Sequence, residues 1–519
     1  MPGHYLEALL VALVVGLSTA ICRAYLKHRR IVILTPPSPW PLPLVGNLFD
    51  IPSSAPWKAY AAWSKLYQSD LISVRAFGQL TIVVNTRTAA RELFEVRSGN
   101  FSDRPRLAMI ELSGWEWITG MMPYNDAWRT RRRILHQYLH EKTVSKYHPT
   151  QLDKARQLVC SLHDDPSYFK DHIRTFAASI AMSIAYGYDV KPREDRFVAI
   201  AEKAVHKLSL STFPGAQAVN AFPILTYLPE WFPGAGFHTF AKESRQLTEK
   251  MRKLPIEFVQ HNMVNGTEAH PSVIRSLIEA NQKLSDVEDD ARVLEDVGGV
   301  IYSAGADTTV SALMWCILAL VMHPEVQRRA QAEIDSIIGR DRLPNHSDRT
   351  SLPYVDAVYR EALRWNPVIP LGVTRSAMKS DMFQGHLIPE GTIMVYNTWA
   401  IMHDPKTYQN PDSFIPERFL NPDGTLNDDD VQAVFGYSRR ICSGMHLAKS
   451  SVWLAIASIL ALFDITKAKD EQGNDIPVSV GYIDGFLSHP LPYACTIKAR
   501  DARAAEMLDA IKSSENETC

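Results

Sequence analysis

Apolar residues recur three and four positions apart through most of the chain between Trp57 and Ile338, which places them on one face of an α-helix. The segment PEVQRRAQAEIDSIIG shows this clearly, because it starts at Pro324 and stops at Gly339, residues typical of helix ends. The segment RKLPIEFVQHNMV follows the same spacing. The pattern predicts that most of the chain is helical.

Alternating apolar and polar positions, which are typical of β-strands, occupy only short runs. ISVRAFG with TIVVN, near residues 72–85, and HLIPEGTIMVYNT, near residues 386–398, each resemble a small hairpin. No repeat and no low-complexity tract is visible after Asp50. The sequence therefore predicts one continuous domain over residues 51–519, mainly α with minor β-sheets.

The N-terminal residues are nearly all apolar from Tyr5 to Leu26, close to the roughly 20 residues that a membrane-spanning helix needs. A cleaved secretion signal has basic residues before its apolar run. Here they follow it, at Arg23, Lys27, Arg29 and Arg30. The pattern favours one uncleaved transmembrane helix within residues 1–30, with the remaining chain in the cytosol, over a cleaved signal.

Residues 31–50 contain PPSPWPLPLVGNL, whose prolines fix φ and remove amide donors, so we expect a stiff extended hinge. A spacer between anchor and body is favoured over a proline-rich peptide ligand. The N-x-S/T sequons at Asn100, Asn265, Asn345 and Asn516 should be unused in a cytosolic chain. A glycan on Asn265 would overturn that topology.

One long segment, Val293 to Met322, is apolar on nearly every face. A second membrane span is the alternative to a helix buried in a protein core. Asp307 lies in its middle, where burying a carboxylate in lipid costs about 3 kcal/mol or more. Gly298, Gly299 and Gly305 also weaken the helix. A core helix that carries a functional polar cluster is therefore favoured.

The formal net charge is −2, so composition gives no general attraction to nucleic acid or to anionic membranes. The six cysteines form no CxxC pair and no zinc-type spacing, which suits a reducing compartment. An unpaired cysteine there is usually a buried apolar residue and occasionally a ligand.

Cys442 has the surroundings of a ligand, in FGYSRRICSGMHLAKSSVWLAIASILALF, where an apolar helix begins just beyond it. The amides of that helix start should stabilise a thiolate and lower its pKa. Gly436 and Gly444 allow close approach of a flat cofactor, and Arg440 can pair with an acidic group on it. A lone cysteine at a helix start is more often structural, so its neighbours decide.

This run resembles the haem loop of the cytochrome P450 family, FGxGxRxCxG. The matching residues are Phe435, Gly436, Arg440, Cys442 and Gly444. Ser438 stands where the family usually has a second glycine, and it is less free to adopt positive φ.

Upstream motifs follow in the order of the same family. Glu361 and Arg364 in YREALRWNP form its ExxR pair, although such a pair alone is common on helix surfaces. By resemblance, Arg418 of the PERF segment joins them in a buried structural ion network behind the haem. None of the three is predicted to be catalytic.

The segment AGADTT, Ala304 to Thr309, resembles the oxygen-activation motif of the family. Reductive cleavage of dioxygen consumes protons, and an acid beside an alcohol, Asp307 and Thr308, can deliver them. Gly305 should permit a local kink or a widened turn, either of which makes room for dioxygen. The alternative is that the threonines only hydrogen-bond to helix carbonyls.

Two further resemblances concern the propionates of the haem. Trp128 and Arg132 reproduce the WxxxR pattern of a helix beside the haem, and Arg375 occupies the second propionate position. The neighbouring Arg129, Arg131 and Arg133 form a basic stretch that either docks an acidic reductase or is simply a solvated helix face.

The resemblance implies a haem whose iron is bound by Cys442, and a monooxygenase in the endoplasmic reticulum membrane. NADPH would supply electrons through NADPH–cytochrome P450 reductase, with cytochrome b5 as an optional second donor. Two other functions stay open: a hydroperoxide-rearranging or dehydrating relative, which tends to lose the acid and alcohol, and a haem sensor or carrier, which needs no proton delivery.

The expected substrate-selective segments are RLAMIELSGWEWIT, Arg106 to Thr119, and the stretch from Leu208 to Phe240. Both are rich in apolar and aromatic residues and suit a hydrophobic small molecule. The chain resembles fungal microsomal members that tailor secondary metabolites. This resemblance favours a terpenoid first, and an aromatic polyketide or an indole second.

Overall fold

The computed structural model describes residues 34–42, 45–52, 54–212, 218–266, 271–281, 287–483 and 485–516. The protein is 56% helical and has small sheets, which confirms the predicted mainly α class with minor β structure. The apolar run from Tyr5 to Leu26, predicted as a transmembrane helix, lies outside the described residues.

The helices divide into short connecting turns and long helices that build the body. In chain order they are α1 (Pro56–Leu66), α2 (Arg87–Arg91), α3 (Ala108–Leu112), α4 (Asp126–Leu139), α5 (Glu141–Val144), α6 (His148–Asp164), α7 (Phe169–Tyr186), α8 (Arg196–Thr212), α9 (Ala218–Ala221), α10 (Phe237–Val264), α11 (Val273–Asn281), α12 (Val287–Met322), α13 (Pro324–Ile337), α14 (Pro353–Trp365), α15 (Thr398–Met402), α16 (Met445–Leu462) and α17 (Ala502–Asn516). Gly339, with φ of +79°, follows α13 as predicted.

The strands are short and form several small sheets. In chain order they are β1 (Leu71–Ala76), β2 (Gln79–Val84), β3 (Arg375–Ser376), β4 (Asp381–Phe383), β5 (His386–Ile388), β6 (Ile393–Tyr396), β7 (Phe463–Lys467), β8 (Tyr482–Ile483), β9 (His489–Pro490) and β10 (Cys495–Ala499). The largest sheet has the order β1-β2-β6-β3, and β1 pairs with β2 as the predicted first hairpin.

The second predicted hairpin is wrong, because β5 and β6 belong to different sheets. β5 pairs with β4, whereas β6 runs parallel to β2 and opposes Val83 with Val395. The side chains of Met394 and Val395 are buried, so pairing with the buried strand β2 removes more apolar surface from water than a hairpin at the surface.

The proline-rich segment packs along the edge of β1. Ser73 donates its backbone N–H to the carbonyl of Pro37 at 2.9 Å and its hydroxyl to the carbonyl of Pro36 at 2.6 Å. Asn47 donates its side-chain amide to the carbonyl of Pro39 at 2.9 Å. Prolines still offer carbonyl acceptors, so the segment covers the polar edge of the strand.

Helix α12 lies in the core, where it packs against α7, α10, α14 and α16. Within the described residues, Ala291–Met322 and Met445–Leu462 are long and apolar enough to cross a membrane. However, 72% and 78% of the most apolar stretch of each helix is buried inside the protein. The preference for a core helix over a second span is thus supported. Its glycines allow close contact: a Cβ on Gly298 would lie 2.7 Å from the hydroxyl of Tyr186.

We expect Gly298→Ala to lower the free energy of unfolding by up to about 2 kcal/mol, because overpacking costs about 1–3 kcal/mol and the gain in helix propensity returns only about 1 kcal/mol. Gly305→Ala is the matched control on the same helix, since its Cβ would meet Ala181 at an ordinary 3.7 Å. Urea unfolding of both variants tests this. Equal stabilities would contradict the packing argument.

Candidate active site

The loop before α16 presents Cys442 at the start of the helix. The Cys442 amide donates to the carbonyl of Phe435 at 2.9 Å, which closes the loop on itself. Gly436 has φ of +85°, where a side chain would be strained, and its Cβ would lie 3.1 Å from the hydroxyl of Tyr396. A Cβ on Gly444 would meet no atom within 4 Å among the described residues. The loop thus leaves open space beside the cysteine.

The thiol of Cys442 is reachable by solvent, although protein surrounds it on most sides. Desolvation raises its pKa, and the opposing effects of the Gly444 backbone N–H and of the Arg132 guanidinium are smaller. The sequence predicted a lowered pKa from the helix amides alone. The Gly444 amide does lower the pKa of the thiol, but the loss of hydration raises it by more, because a buried thiolate is poorly solvated.

Ser438 adopts the conformation that glycine would otherwise supply. Its φ is +45°, which costs a non-glycine residue about 1–2 kcal/mol. The loop geometry expected from the family pattern is therefore kept in spite of the departure.

We expect Ser438→Gly to raise the free energy of unfolding by about 0.5–1 kcal/mol, because relief of strain is partly offset by the entropy of an added glycine. Ser438→Val should lower it by about 1–3 kcal/mol, since a branched side chain resists this conformation. Urea unfolding and haem retention would be measured together. A valine variant as stable as the glycine variant would contradict the strain.

Three buried arginines tie the cysteine loop to the rest of the site. Arg375, on β3, donates to the carbonyl of Tyr437 at 2.7 Å, and Arg104 donates to the carbonyl of Val373 at 2.8 Å. Arg440 donates to the backbone carbonyls of Ser102, Thr119 and Met122. The shortest of these bonds, to Ser102, is 2.7 Å long. Among the described residues, no partner accepts from the buried Nε atoms of Arg104 and Arg375.

Positive charge accumulates in this arginine cluster, which we define as Arg104, Arg375 and Arg440. Burial, then the charges of Arg440 and Arg375, lower the pKa of Arg104. Burial, then Arg375, lower the pKa of Arg440 to about 9, and Asp103 opposes this. Buried charge without a counter-charge is costly. The free Nε donors and the excess charge fit an anionic group such as the two propionates of a haem.

Arg104 was missed by the sequence analysis. It lies in the loop segment NFSDRPR, where no periodicity distinguishes a buried arginine from an exposed one. Arg104 can be recognised as a site residue only in the folded protein, where β3 and the cysteine loop lie close to it.

Helix α4 brings Trp128 and Arg132 to the same site. The Trp128 ring is buried, and the Arg440 guanidinium lies 4.2 Å from its centroid. Arg132 donates to the hydroxyl of Ser443, directly after the cysteine, and burial lowers its pKa. Asn125 caps the helix by accepting from the Trp128 amide at 2.9 Å, which fixes where the helix starts.

The prediction of a basic docking stretch is wrong for Arg131, which does not lie on the surface. Arg131 is mostly buried and donates to Asp296 of α12 at 2.6 Å, and Asp296 also accepts from Arg252 of α10 at 2.6 Å. Burial raises the pKa of Asp296 against the effect of both arginines. Asp296 therefore joins α12 to Arg131 of α4 and to Arg252 of α10, whereas Arg129 and Arg133 are exposed.

The ExxR residues form the predicted ion network in the core. Glu361 and Arg364 have fully buried side chains joined by hydrogen bonds of 2.6 and 2.8 Å, and Arg418 lies 3.1 Å from Glu361. Arg364 also donates to the carbonyls of Met402, Pro411 and Ser413. These bonds use all five of its N–H donors, so the network is structural.

The acid and alcohol lie in the middle of α12. Ala304 is exposed and Gly305, Asp307 and Thr308 are partly exposed, although most of the helix is buried. Asp307 has 41% of its side chain exposed, so its carboxylate can exchange protons with water. This face of the helix is therefore accessible to solvent.

The widened turn predicted at Gly305 is not present, because α12 is a continuous α-helix over Val287–Met322. Thr308 and Thr309 donate their hydroxyls to the carbonyls of Ala304 and Gly305, each at 2.7 Å. Both threonines therefore hydrogen-bond to helix carbonyls, which was the alternative to a role in proton delivery. These bonds leave the oxygen lone pairs of Thr308 free to accept a proton donor.

The Cytochrome P450 family model matches residues 36–497 of this chain. The chain belongs to the cytochrome P450 family. A P450 monooxygenase of Armillaria gallica is 38% identical, with 91% of this chain and 93% of the relative covered, and one of Coprinopsis cinerea is 39% identical over 91% and 93%. Tryptamine 4-monooxygenase of Psilocybe cyanescens is 36% identical over 95% and 98%.

Membership in the family establishes the reaction class. This P450 is a monooxygenase, an oxidoreductase that uses a haem with a thiolate ligand and receives electrons from a reductase. These three relatives are fungal monooxygenases.

Proposed function

We propose that this P450 inserts one oxygen atom from O2 into a C–H or C=C bond of a hydrophobic small molecule. NADPH supplies the electrons through NADPH–cytochrome P450 reductase, with cytochrome b5 as an optional second donor. One observation carries the proposal: Cys442 lies in the loop just before α16, which packs against α12 with its Asp307 and Thr308, while the arginine cluster flanks the cysteine loop.

Cys442 is the residue that would hold the iron. A haem with such a ligand supplies the oxygen chemistry, because the thiolate donates electron density that favours O–O cleavage. The charged residues that fit its propionates are Arg104, Arg132, Arg375 and Arg440, with Trp128 packed beside them. The residues that would lie against its flat ring are Phe435, Gly436, Gly444, Ala304 and Gly305, of which Gly444 has open space beside it among the described residues.

Asp307 and Thr308 deliver protons to the reaction. The partly exposed carboxylate of Asp307 can take a proton from water, and the Thr308 hydroxyl would pass protons on from this face of α12. The presence of both groups disfavours a hydroperoxide-rearranging or dehydrating enzyme and a haem carrier. Product that forms only with reductase, NADPH and O2 supports a monooxygenase, whereas product from a hydroperoxide alone supports the rearranging enzyme.

The two segments expected to select the substrate contact each other. The Met109 amide donates to the Asn220 side chain at 2.9 Å, and Met109 packs with Val219 and Ala241. The apolar character of this region supports a hydrophobic substrate, a terpenoid first. The similarity to tryptamine 4-monooxygenase favours an indole as the second candidate. An aromatic polyketide is a further alternative.

Substrate binding can be tested with microsomes that contain this P450 and its reductase. A terpene, an aromatic polyketide and tryptamine would be titrated, and the change in the Soret band that accompanies displacement of iron-bound water would be measured. We expect the terpene to give the largest change and an oxygenated product. A response to tryptamine alone would replace the terpenoid by an indole.

The proposed location is the membrane of the endoplasmic reticulum, with residues 1–30 as a single-pass anchor, residues 31–50 as a hinge and residues 51–519 as the cytosolic body. Exposed apolar side chains at Leu34, Trp40 and Phe49 support a membrane-facing surface near the first described residues. Carbonate extraction of microsomes should leave the protein in the membrane. Release into the soluble fraction, or a glycan on Asn265, would contradict this topology.

A further inference from the structure

His489 lies beside the acid of the oxygen-activation motif. Its Nε2 atom is 3.4 Å from Oδ1 of Asp307, and 21% of its side chain is exposed. Nothing in the P450 loop or helix motifs of this chain includes His489, which lies more than 180 residues further along than Asp307. A separation of 3.4 Å is within reach of a hydrogen bond that shortens during the reaction.

The backbone around His489 is fixed to the helix that carries Asp307. Ser311 and Trp315 both donate to the carbonyl of Ser488, at 2.6 and 2.9 Å. Asp307, Ser311 and Trp315 are spaced four residues apart and therefore share one face of α12. Because Ser311 and Trp315 are completely buried, these two bonds place the next residue, His489, above the carboxylate.

The other side of the segment is fixed as well. The Ser488 amide donates to the carbonyl of Val368 at 2.9 Å, and His489 pairs with Ile483 across the β8–β9 hairpin. Ser488 itself is 1% exposed. The imidazole is thus carried by backbone that is bonded in several directions, which is how a side chain that orients a catalytic group is usually held.

We propose that His489 is a positioning residue for Asp307, an inference that rests on the proposed role of Asp307 in proton delivery. The imidazole Nε2–H donates to Oδ1 and fixes the orientation of the carboxylate. The second oxygen, Oδ2, then stays available to exchange protons with water. His489 makes no bond to the reacting oxygen and acts only through Asp307.

The contact can be observed without turnover. In the reduced, CO-bound holoenzyme, which is diamagnetic, the imidazole 15N resonances of His489 would be assigned by their loss in His489→Gln. We expect Asp307→Asn to shift these resonances and Asp335→Asn, whose partners are Arg340 and Arg500, to leave them unchanged. If the His489 resonances do not shift in Asp307→Asn, the proposal is wrong.

The role is tested by a double-mutant cycle, with the panel compound that gives the largest binding spectrum. Loss of the contact in His489→Leu should lower the fraction of NADPH electrons recovered in product about tenfold, with KM unchanged. His489→Gln, which keeps an N–H donor, should stay within about twofold of the wild type. In the Asp307→Asn background, His489→Leu should have no further effect.

The outcomes separate this inference from the proposed function. If His489→Leu causes the same loss in both backgrounds, it acts independently of Asp307 and the proposal is wrong, although Asp307 keeps its role. If Asp307→Asn itself leaves product formation unchanged, the proton delivery proposed for Asp307 fails, and His489 loses its role with it.

Discussion

Replacing Glu361 by glutamine is expected to remove most of the folded, haem-containing protein. The substitution keeps the shape of the side chain but leaves the guanidinium of Arg364, which is completely buried, without its counter-charge. Removing one partner of a buried ion pair costs about 3–5 kcal/mol, a large part of the roughly 5–15 kcal/mol that stabilises a native protein.

Glu417→Gln is the matched control, because it makes the same change in an exposed pair. Glu417 lies 2.7 Å from Arg329, and both side chains are about half exposed. Such pairs contribute about 0–1 kcal/mol. Yield of haem protein and urea unfolding would be compared for the two variants. Equal losses would show that burial of the Glu361 network does not determine its contribution.

Asp307→Asn is expected to lower product formation about 100-fold, at the lower end of what a positioned acid–base group contributes. An amide has the size of the carboxylate but cannot take a proton from water and pass it on. The haem spectrum and the substrate-binding spectrum should not change, because Asp307 is partly exposed and holds no structural hydrogen bond to the cysteine loop.

Rates of product formation, NADPH consumption and peroxide release would be measured for Asp307→Asn beside Asp335→Asn, an acid of α13 outside the site. We expect the control to match the wild type. Product formed by Asp307→Asn within twofold of the wild-type rate would rule out the proposed proton delivery.

Local patterns predicted the parts of the fold that local forces decide. Helical spacing, with Pro324 and Gly339 at the two ends, predicted α13 closely. All-round apolarity predicted that α12 lies in the core, where its glycines fit against Tyr186 and Trp117. The second hairpin failed because the partner of a strand is chosen by distant residues, and β6 pairs with β2, more than 300 residues earlier.

The motifs in the sequence identified the residues of the candidate site. They did not predict which charged residues are buried or how those charges are paired. Arg132 and Arg375 both contact the loop that carries Cys442. Arg131, however, pairs with Asp296, because the packing of α4 against α12 buries it. Arg104 was overlooked for the same reason, since burial and neighbouring charges depend on contacts between segments far apart in the chain.

The central claim is that the sulfur of Cys442 binds the haem iron. The most direct measurement is the absorption spectrum of the purified, reduced protein with carbon monoxide. It would be recorded for the wild type, for Cys442→Ser and for Cys495→Ser, a control cysteine on β10. We predict the red-shifted Soret band of a thiolate-bound haem in the wild type and in Cys495→Ser, and its loss in Cys442→Ser. A folded, haem-loaded wild type without that band, or a Cys442→Ser protein that keeps it, would contradict the assignment.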